Sequence, residues 1–427
     1  MTSQAGIDPT ILGTQLAAAL GQFADELVAR AVEDLDLPRR DASAEVETTR
    51  RLLERLAELV PSLEGRRPLC EPGQAIALLL PYNITAGALW DVACLLAPGN
   101  RVRIRFSERS TRVAAGVENV LAEAAPGLVT VERAHRESFL DDALDNPEVP
   151  LLVAYGGDGL ARALMRRRSP RSGQRLLFEG PGKDPMIVGP GADVALVADV
   201  VRDSKLAYSG QQCVATEILL VHESLFAEVR DAVHDRFDSA PVGDPDDEAT
   251  VVGPLGSEDV PRRIDAQIRQ AVAAGARIET GGRVDGRLVY PTLLSGIEPS
   301  MAIWQEETFG PVLGMASFVD VDEAIELARR SRYGLSCIAC GPDSAAIKDA
   351  LLGADYAEPV PDLRYGVFGT VLMERPRFSE LDDFVLGWGG YGASGWIMDE
   401  DGLRQGPTSL AREASRSEES TGERRRR

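Results

Sequence analysis

The chain has 427 residues, 44% of them hydrophobic, enough to bury a large core in more than one domain. Its formal net charge of −21 repels phosphate backbones and argues against general nucleic-acid binding. Five scattered cysteines (Cys70, Cys94, Cys213, Cys337 and Cys340) are not a disulfide framework. No apolar run reaches the roughly 18 residues of a membrane helix. The N-terminal MTSQAGIDPTILG has no basic stretch leading into an apolar one, so no secretory signal is expected. The default expectation is a cytoplasmic protein without membrane or nucleic-acid partners. Arginine outnumbers lysine 43 to 3, a bias that lets arginine stand where lysine is usual.

Residues 11–60 carry apolar side chains at three- and four-residue spacing and read as helical. The pattern breaks around residues 68–73. AIALLL (75–80) then reads as a buried strand ending at Pro81. Helix is expected over about 87–96, strand over 100–108 and helix over 110–124. LLVAY (151–155) is another buried strand, running into Gly156 and Gly157. Helix (159–167), strand (175–178) and a Gly/Pro turn (180–185) follow. ILLVH (218–222) reads as strand, 223–237 as an amphipathic helix and 243–256 as a polar turn region. Residues 258–274 and 321–331 read as helices. Strands alternating with helices imply a parallel, doubly wound sheet. The terminal SRSEESTGERRRR lacks apolar residues and reads as a disordered, charged tail.

Three residues carry candidate chemistry. Cys213, in SGQQCVA, follows a Ser-Gly pair and precedes a strand, where backbone N–H groups help a thiol to ionise and attack an electrophilic carbon. Glu179 ends an apolar strand beside a Gly-rich turn. Partial desolvation there raises a carboxyl pKa toward that of a general base. Asn83 sits just past another buried strand, where an amide can donate to a developing oxyanion. Taken singly, each has a plainer reading: a buried spectator thiol, a solvated turn carboxylate and a helix-capping amide. The only histidines are His135, His222 and His234, which gives poor support to a Cys-His hydrolase.

The motifs together are more specific. PYN (81–83), RFSE (105–108), YGG (155–157), FEGPGKDPMIV (178–188) and SGQQCVATE (209–217) occur in that order. GDP (243–245), VGPL (252–255), GG (281–282), YPT (290–292), EETFGPV (306–312) and SRYGLS (331–336) follow. Their order, and the 34 residues between Glu179 and Cys213, resemble the aldehyde dehydrogenase superfamily. The match runs from about residue 74 to 340 and resumes at GWGGYGASGW (387–396).

The resemblance implies an α/β fold of two doubly wound parallel-sheet domains with the active site between them. A cofactor domain would span 1–180 and a catalytic domain 181–385. Residues 386–410 would return to the cofactor and oligomerisation region, and 411–427 would be the disordered tail. It implies an NAD-dependent oxidoreductase of a small aldehyde, working as a homodimer or homotetramer, with no metal. Cys213 would form a thiohemiacetal and then a thioester. Asn83 and the Cys213 N–H would hold the oxyanion, and Glu179 would activate water. Arg105, in place of the family's lysine, and Glu108 would face the adenosine ribose. Glu108 would repel a 2′-phosphate and favour NAD, an inference that the cations Arg105 and Arg109 weaken. Gly156 and Gly157 would admit the pyrophosphate, Glu307 would hold the nicotinamide ribose, and Phe309 would pack by its ring. Gln212, Val214, Trp90 and Asp91 are candidates for the substrate tunnel.

The sequence also departs from the family. The stretch before PYN is short, Gly157 replaces a serine, and Pro181 replaces a glycine and restricts the Glu179 loop. Residues 353–386 match poorly where a strand and part of the tunnel are expected. These departures keep alternatives open: a degenerate scaffold or partner subunit, or a CoA-acylating variant, against which Glu179 argues. Cys337 and Cys340 read as two buried strand cysteines rather than a redox or metal pair.

Overall fold

The computed structural model describes residues 7–59, 67–68, 72–167, 173–353, 366–380, 389–400, 402–406 and 412–413. Cys70 and most of the charged tail lie outside them. The N-terminal stretch is not one helix but a set: α1 (Pro9–Gln22), α2 (Ala24–Leu35) and α3 (Arg39–Glu54), with a last turn at Leu56–Leu59. The break after α2 has a local cause. Asp36 caps it in the left-handed region (φ 53°), and Pro38 keeps Leu37 out of the helical region.

The first half then builds five parallel strands: β1 (Ala75–Leu79), β2 (Arg101–Arg105), β3 (Val129–Val131), β4 (Leu151–Tyr155) and β5 (Arg175–Glu179). They alternate with α4 (Ala88–Leu96), α5 (Thr111–Ala124), α6 (Arg136–Asp145) and α7 (Asp158–Arg166). The spatial order is 3-2-1-4-5, so the chain reverses direction across the sheet between β1 and β4. Both faces are covered, as near-continuous apolar strands require. Ile76 and Leu78 pack with the N-terminal helices, while Ala77 and Leu79 pack against Phe139 and Leu164 on the other side.

The second half forms another sheet. Its strands are β6 (Asp184–Val188), β7 (Thr216–His222), β8 (Arg277–Thr280), β9 (Thr292–Ser295), β10 (Val312–Phe318), β11 (Ser336–Cys340) and β12 (Thr370–Met373). The order is 12-11-6-7-10-9-8, parallel except for β8. One face packs on α8 (Val194–Leu206) and α9 (Phe226–Asp238), through Val201, Val233 and Phe237. The other packs on α10 (Asp259–Ala273), through Ile264 and Ile268. The expected turn over 180–185 is shorter than read, because β6 already begins at Asp184. The poorly matching region does supply a strand, β12. Cys337 and Cys340 point into opposite faces of this sheet, because residues three apart in a strand alternate sides; they cannot meet.

The chain finally returns to the first sheet. β13 (Gly395–Asp399) pairs antiparallel with β5, and β14 (Gly402–Arg404) pairs with β13. Trp396 lies opposite Phe178 and stacks on it at 5.2 Å and 24°. Within the tail expected to be disordered, Arg412–Glu413 pair antiparallel with Arg67–Pro68. Trp396 is 1% exposed, so Trp396→Ala should cost about 3–5 kcal/mol. Urea unfolding followed by circular dichroism measures this, and a loss under about 1 kcal/mol would mean that the returning strand is not part of the cooperative core.

Candidate active site

The two sheets present opposite ends to one another. From the first come strand C-termini: Tyr155 and Glu179 end β4 and β5, and Asn83 and Glu108 follow β1 and β2. From the second come strand N-termini: Gly182, Cys213 and Glu307 precede β6, β7 and β10. Between them lies a cavity of about 1010 Å³. Every residue singled out in the sequence lines it: Asn83, Arg105, Glu108, Gly156, Gly157, Glu179, Cys213, Glu307 and Phe309. So do the tunnel candidates Trp90, Asp91, Gln212 and Val214.

The loop that carries Cys213 is held in an uncommon backbone shape. Tyr208, Ser209 and Gly210 all adopt positive φ (55°, 56° and 76°). The surroundings hold them there. Asp41 accepts the Tyr208 N–H at 2.9 Å, and Ser209 Oγ accepts the Gly253 N–H at 2.9 Å. Gln211 Oε1 accepts from Tyr82 Oη and from Gly256 N, each at 3.0 Å. The tyrosine of PYN thus gives this loop a hydroxyl partner. A Cβ on Gly182 would lie 2.0 Å from the carbonyl oxygen of Cys213, so only glycine lets the Glu179 and Cys213 loops approach this closely.

Cys213 is half-buried. Burial pushes its thiol well above the ordinary value, and Glu179, Glu307 and Asp184 push the same way, while Arg377 opposes them. Its backbone N–H has no partner among the described residues. Asn83 Nδ2 donates to the Gln211 carbonyl at 3.0 Å, which leaves its second amide hydrogen.

Glu179 is 9% exposed, and burial raises its pKa to about 7, partly offset by the Gly389 N–H and by Arg377. Its Oε2 accepts that N–H at 2.5 Å. Pro181 does not move it out of the cavity. The loop is fixed instead by the returning chain: Gly180 N donates to Ser394 O at 2.8 Å, and Ser394 Oγ donates to Pro181 O at 2.6 Å.

The sequence reading missed the charges beneath this site. Glu217, on β7, is 1% exposed. Lys183 Nζ donates to its Oε2 at 2.6 Å and Lys205 Nζ to its Oε1 at 2.5 Å, and both ammoniums are fully buried. The N–H groups of Thr308 and Phe309 complete the carboxylate at 2.9 and 3.3 Å. Burial pushes this carboxyl up, and the two ammoniums more than reverse that, to about 2. Two of the chain's three lysines are spent here, a rarity that was readable as a signal.

At the other end of the cavity, Arg105 is 4% exposed. It donates to Ala134 O, Phe106 O and Glu108 Oε1 at 3.2, 2.8 and 2.9 Å. Arg109 donates to Gly256 O and Ser257 Oγ and lies over the Tyr82 ring. Both cations thus donate to protein groups where they line the cavity. Gly157 precedes α7, and a Cβ there would meet nothing within 4 Å, so no protein contact demands glycine. Asp158, in the first turn of α7, is neutralised by Arg332, which also stacks on Tyr333. Glu307 Oε1 accepts the Gly182 N–H at 3.1 Å, and burial raises its pKa to about 8. Phe309 holds φ at 55° and meets Tyr82 edge-on at 6.1 Å.

Comparison with known proteins is consistent with this geometry. The sequence profile of the Aldehyde dehydrogenase family matches residues 11–357. The chain is 29% identical to sulfoacetaldehyde dehydrogenase of Neptuniibacter caesariensis, over 65% of this chain and 61% of that protein. It thus spans less than two thirds of that relative's length. It is 30% identical to the NADP(+) succinate-semialdehyde dehydrogenase of Deinococcus radiodurans, over 73% of this chain and 68% of that one. A point mutant of betaine aldehyde dehydrogenase from Staphylococcus aureus, solved with NAD+, superimposes with a TM-score of 0.78 at 23% identity, over 94% of this chain and 83% of that one.

The buried charges generate a stability prediction. Glu217→Gln leaves two ammoniums without their counter-ion and should cost about 3–5 kcal/mol in chemical unfolding. Because the folded pKa is depressed from 4.5 to about 2, the carboxylate's contribution is complete above 4.5 and disappears as pH falls toward 2. In the variant, that segment of the stability–pH curve should flatten.

Proposed function

The chain belongs to the aldehyde dehydrogenase family, and on that premise we propose that it oxidises an aldehyde to a carboxylic acid with NAD, through a thioester on Cys213. One observation carries the proposal: a half-buried thiol and a buried carboxyl with pKa about 7 line the same cavity. In this reading the first sheet belongs to the cofactor domain and the second to the catalytic domain.

Cys213 must first lose its proton, because its thiol pKa is raised. Glu179 is the carboxylate that acts on it most strongly, and serves as the acceptor. The thiolate then adds to the carbonyl carbon, and the C=O electron pair moves to oxygen. The unpartnered Cys213 N–H and the second Asn83 amide hydrogen receive that oxyanion. A bound nicotinamide supplies one thing, acceptance of the hydride that leaves the same carbon. Glu179 passes the thiol's proton to solvent through the cavity, and as a carboxylate again takes a proton from the water that attacks the thioester. The thiolate departs and the acid is released. A base with pKa near 7 suits this double duty, since it gains and loses a proton readily at neutral pH.

Several features fit the dinucleotide. The first turn of α7 opens directly on Gly157, whose empty surroundings leave room for a pyrophosphate near backbone N–H groups. Glu108 lies on the cavity wall with its carboxylate positioned by Arg105, where ribose hydroxyls can donate to it. NAD is preferred over NADP because the 2′-phosphate would meet Glu108, while Arg105 and Arg109 already donate to protein groups. Glu307 would accept from the nicotinamide ribose. Self-association as a homodimer or homotetramer belongs to the same proposal.

NADH formation tests the mechanism. Cys213→Ala should abolish turnover of a panel of aliphatic, aromatic and amino aldehydes. Glu179→Gln should stop after one thioester equivalent per site. For the unsubstituted protein, kcat should fall about tenfold per pH unit below about 7, as Glu179 becomes protonated. A profile flat through that range would remove Glu179 from the base role. Glu108→Gln should shift the NADP/NAD ratio of kcat/KM toward NADP by about tenfold. An unchanged ratio would take cofactor choice away from Glu108.

A further inference from the structure

The two donors proposed above for the oxyanion come from different sheets. Asn83 follows β1 of the first, and Cys213 precedes β7 of the second. An oxyanion gains from both only if the two loops keep one fixed spacing. A misplacement of about 1 Å can cost on the order of a hundredfold in rate. Side chains bridge the loops directly: Asn83 Nδ2 donates to Gln211 O, and Tyr82 Oη donates to Gln211 Oε1, each at 3.0 Å.

A further bridge comes from outside both sheets. Asp41 and Glu45 lie four residues apart in α3, and so on one face of it. Asp41 Oδ2 accepts the Tyr208 N–H at 2.9 Å. Glu45 reaches both loops at once. Its Oε1 accepts the Thr85 and Gly87 N–H groups at 3.0 and 2.8 Å. Its Oε2 accepts from Thr85 Oγ1 at 2.6 Å and from Tyr208 Oη at 3.2 Å. Thr85 lies two residues past Asn83, and Tyr208 lies five before Cys213. The fit is close, since a Cβ on Gly87 would come within 3.0 Å of Glu45 Oε1.

Part of this arrangement is helix capping. Gly87, at the start of α4, supplies no side-chain cap, and Glu45 satisfies N–H groups there from another helix. Capping does not account for the bond to Tyr208, which belongs to the opposite loop. Nor is the carboxylate remote from the chemistry: Glu45, Asn83, Tyr208 and Cys213 line the same cavity.

We propose that Glu45 is a positioning residue that fixes the Asn83 loop against the Cys213 loop and so sets the pair of donors that meets the oxyanion. This rests on the reading of Cys213 as the nucleophile and Asn83 as an oxyanion donor. Glu45 acts through its hydrogen bonds. Glutamine can keep all four: its Oε1 still accepts both N–H groups, and its amide can donate to the two hydroxyls, which accept as well as donate. Alanine keeps none.

The test compares two reactions of Cys213, each followed by mass spectrometry at that residue, and needs neither cofactor nor hydride transfer. With p-nitrophenyl acetate, the thiolate adds to the carbonyl carbon and an oxyanion forms. Its collapse expels p-nitrophenolate and leaves an acetyl thioester. With iodoacetamide, the thiolate displaces iodide from a saturated carbon, and no oxyanion forms. In Glu45→Ala, the acetylation rate should fall at least about tenfold relative to alkylation, and Glu45→Gln should retain most of the wild-type ratio. Equal slowing of both reactions would mean that Glu45 only shapes the thiol's surroundings. An unchanged ratio would mean that it does not set the donors, and a glutamine variant as poor as alanine would mean that its hydrogen bonds are not what matters. Each of these overturns the proposal. Should Glu45→Ala fail to fold, Tyr208→Phe removes the hydroxyl by which Glu45 reaches the Cys213 loop. It should lower the same ratio about threefold, and an unchanged ratio would overturn the proposal. Asn83→Ala separates the two readings. If it leaves the ratio unchanged, the oxyanion role of Asn83 fails; if it lowers the ratio while Glu45→Ala does not, only the role of Glu45 fails.

Discussion

The Glu217 carboxylate lies at the junction on which the site depends. Four segments meet at its two oxygens: the loop before β6 through Lys183, α8 through Lys205, β7 itself, and the loop before β10 through Thr308 and Phe309. Those segments carry or adjoin the Glu179 turn, Cys213, Glu307 and Phe309. Burying three charged groups is costly, and it is tolerable only because each finds ionic or hydrogen-bonding partners. The arrangement also explains why lysine persists in a chain so rich in arginine. An ammonium is a compact point charge, whereas a guanidinium is a broad planar fork that asks for more room.

Above this junction, the geometry is one of opposed strand ends. Ligand-binding loops gather naturally at the C-terminal edge of a doubly wound sheet. Here the first sheet offers that edge, and the second offers its N-terminal edge. The cavity is therefore bounded by loops from two rigid supports. Close approach of the two sets of loops depends on missing side chains. Gly182 lies against the Cys213 carbonyl, and Gly210 lies against Gly310, where a Cβ would come within 2.3 Å of the carbonyl carbon. The left-handed run at Tyr208 and Ser209 is sustained by Asp41 and Gly253, so backbone strain in the Cys213 loop is balanced by contacts from outside it.

The returning chain completes the surroundings of Glu179. Glu179 ends β5, but its carboxylate is held by Gly389 and its turn by Ser394, both far along the sequence. Pro181 stiffens a turn that these bonds already define. A single ionisable group is thereby buried enough to have a pKa near neutrality, yet it still faces the cavity.

What the sequence determined by itself was everything encoded locally. Apolar runs such as AIALLL and LLVAY identified strands buried on both faces, and ordered short motifs identified Asn83, Glu179, Cys213 and Glu307, all of which line one cavity. The end of α2 was also legible in principle, since Asp36 and Pro38 are local stop signals, although the apolar periodicity continues across them. Tertiary structure alone decided which charges meet. Glu217 finds Lys183 across 34 residues, Gly389 reaches Glu179 across 210, and Arg377 enters the site from a region without a recognisable motif. It also decided which carbonyls Arg105 and Arg109 donate to and that Cys337 and Cys340 stand on opposite faces of a sheet. The physical reason is the same throughout. Periodicity and turn chemistry act over a few residues, whereas the worth of a charge depends on burial and on partners that only the folded chain brings within reach.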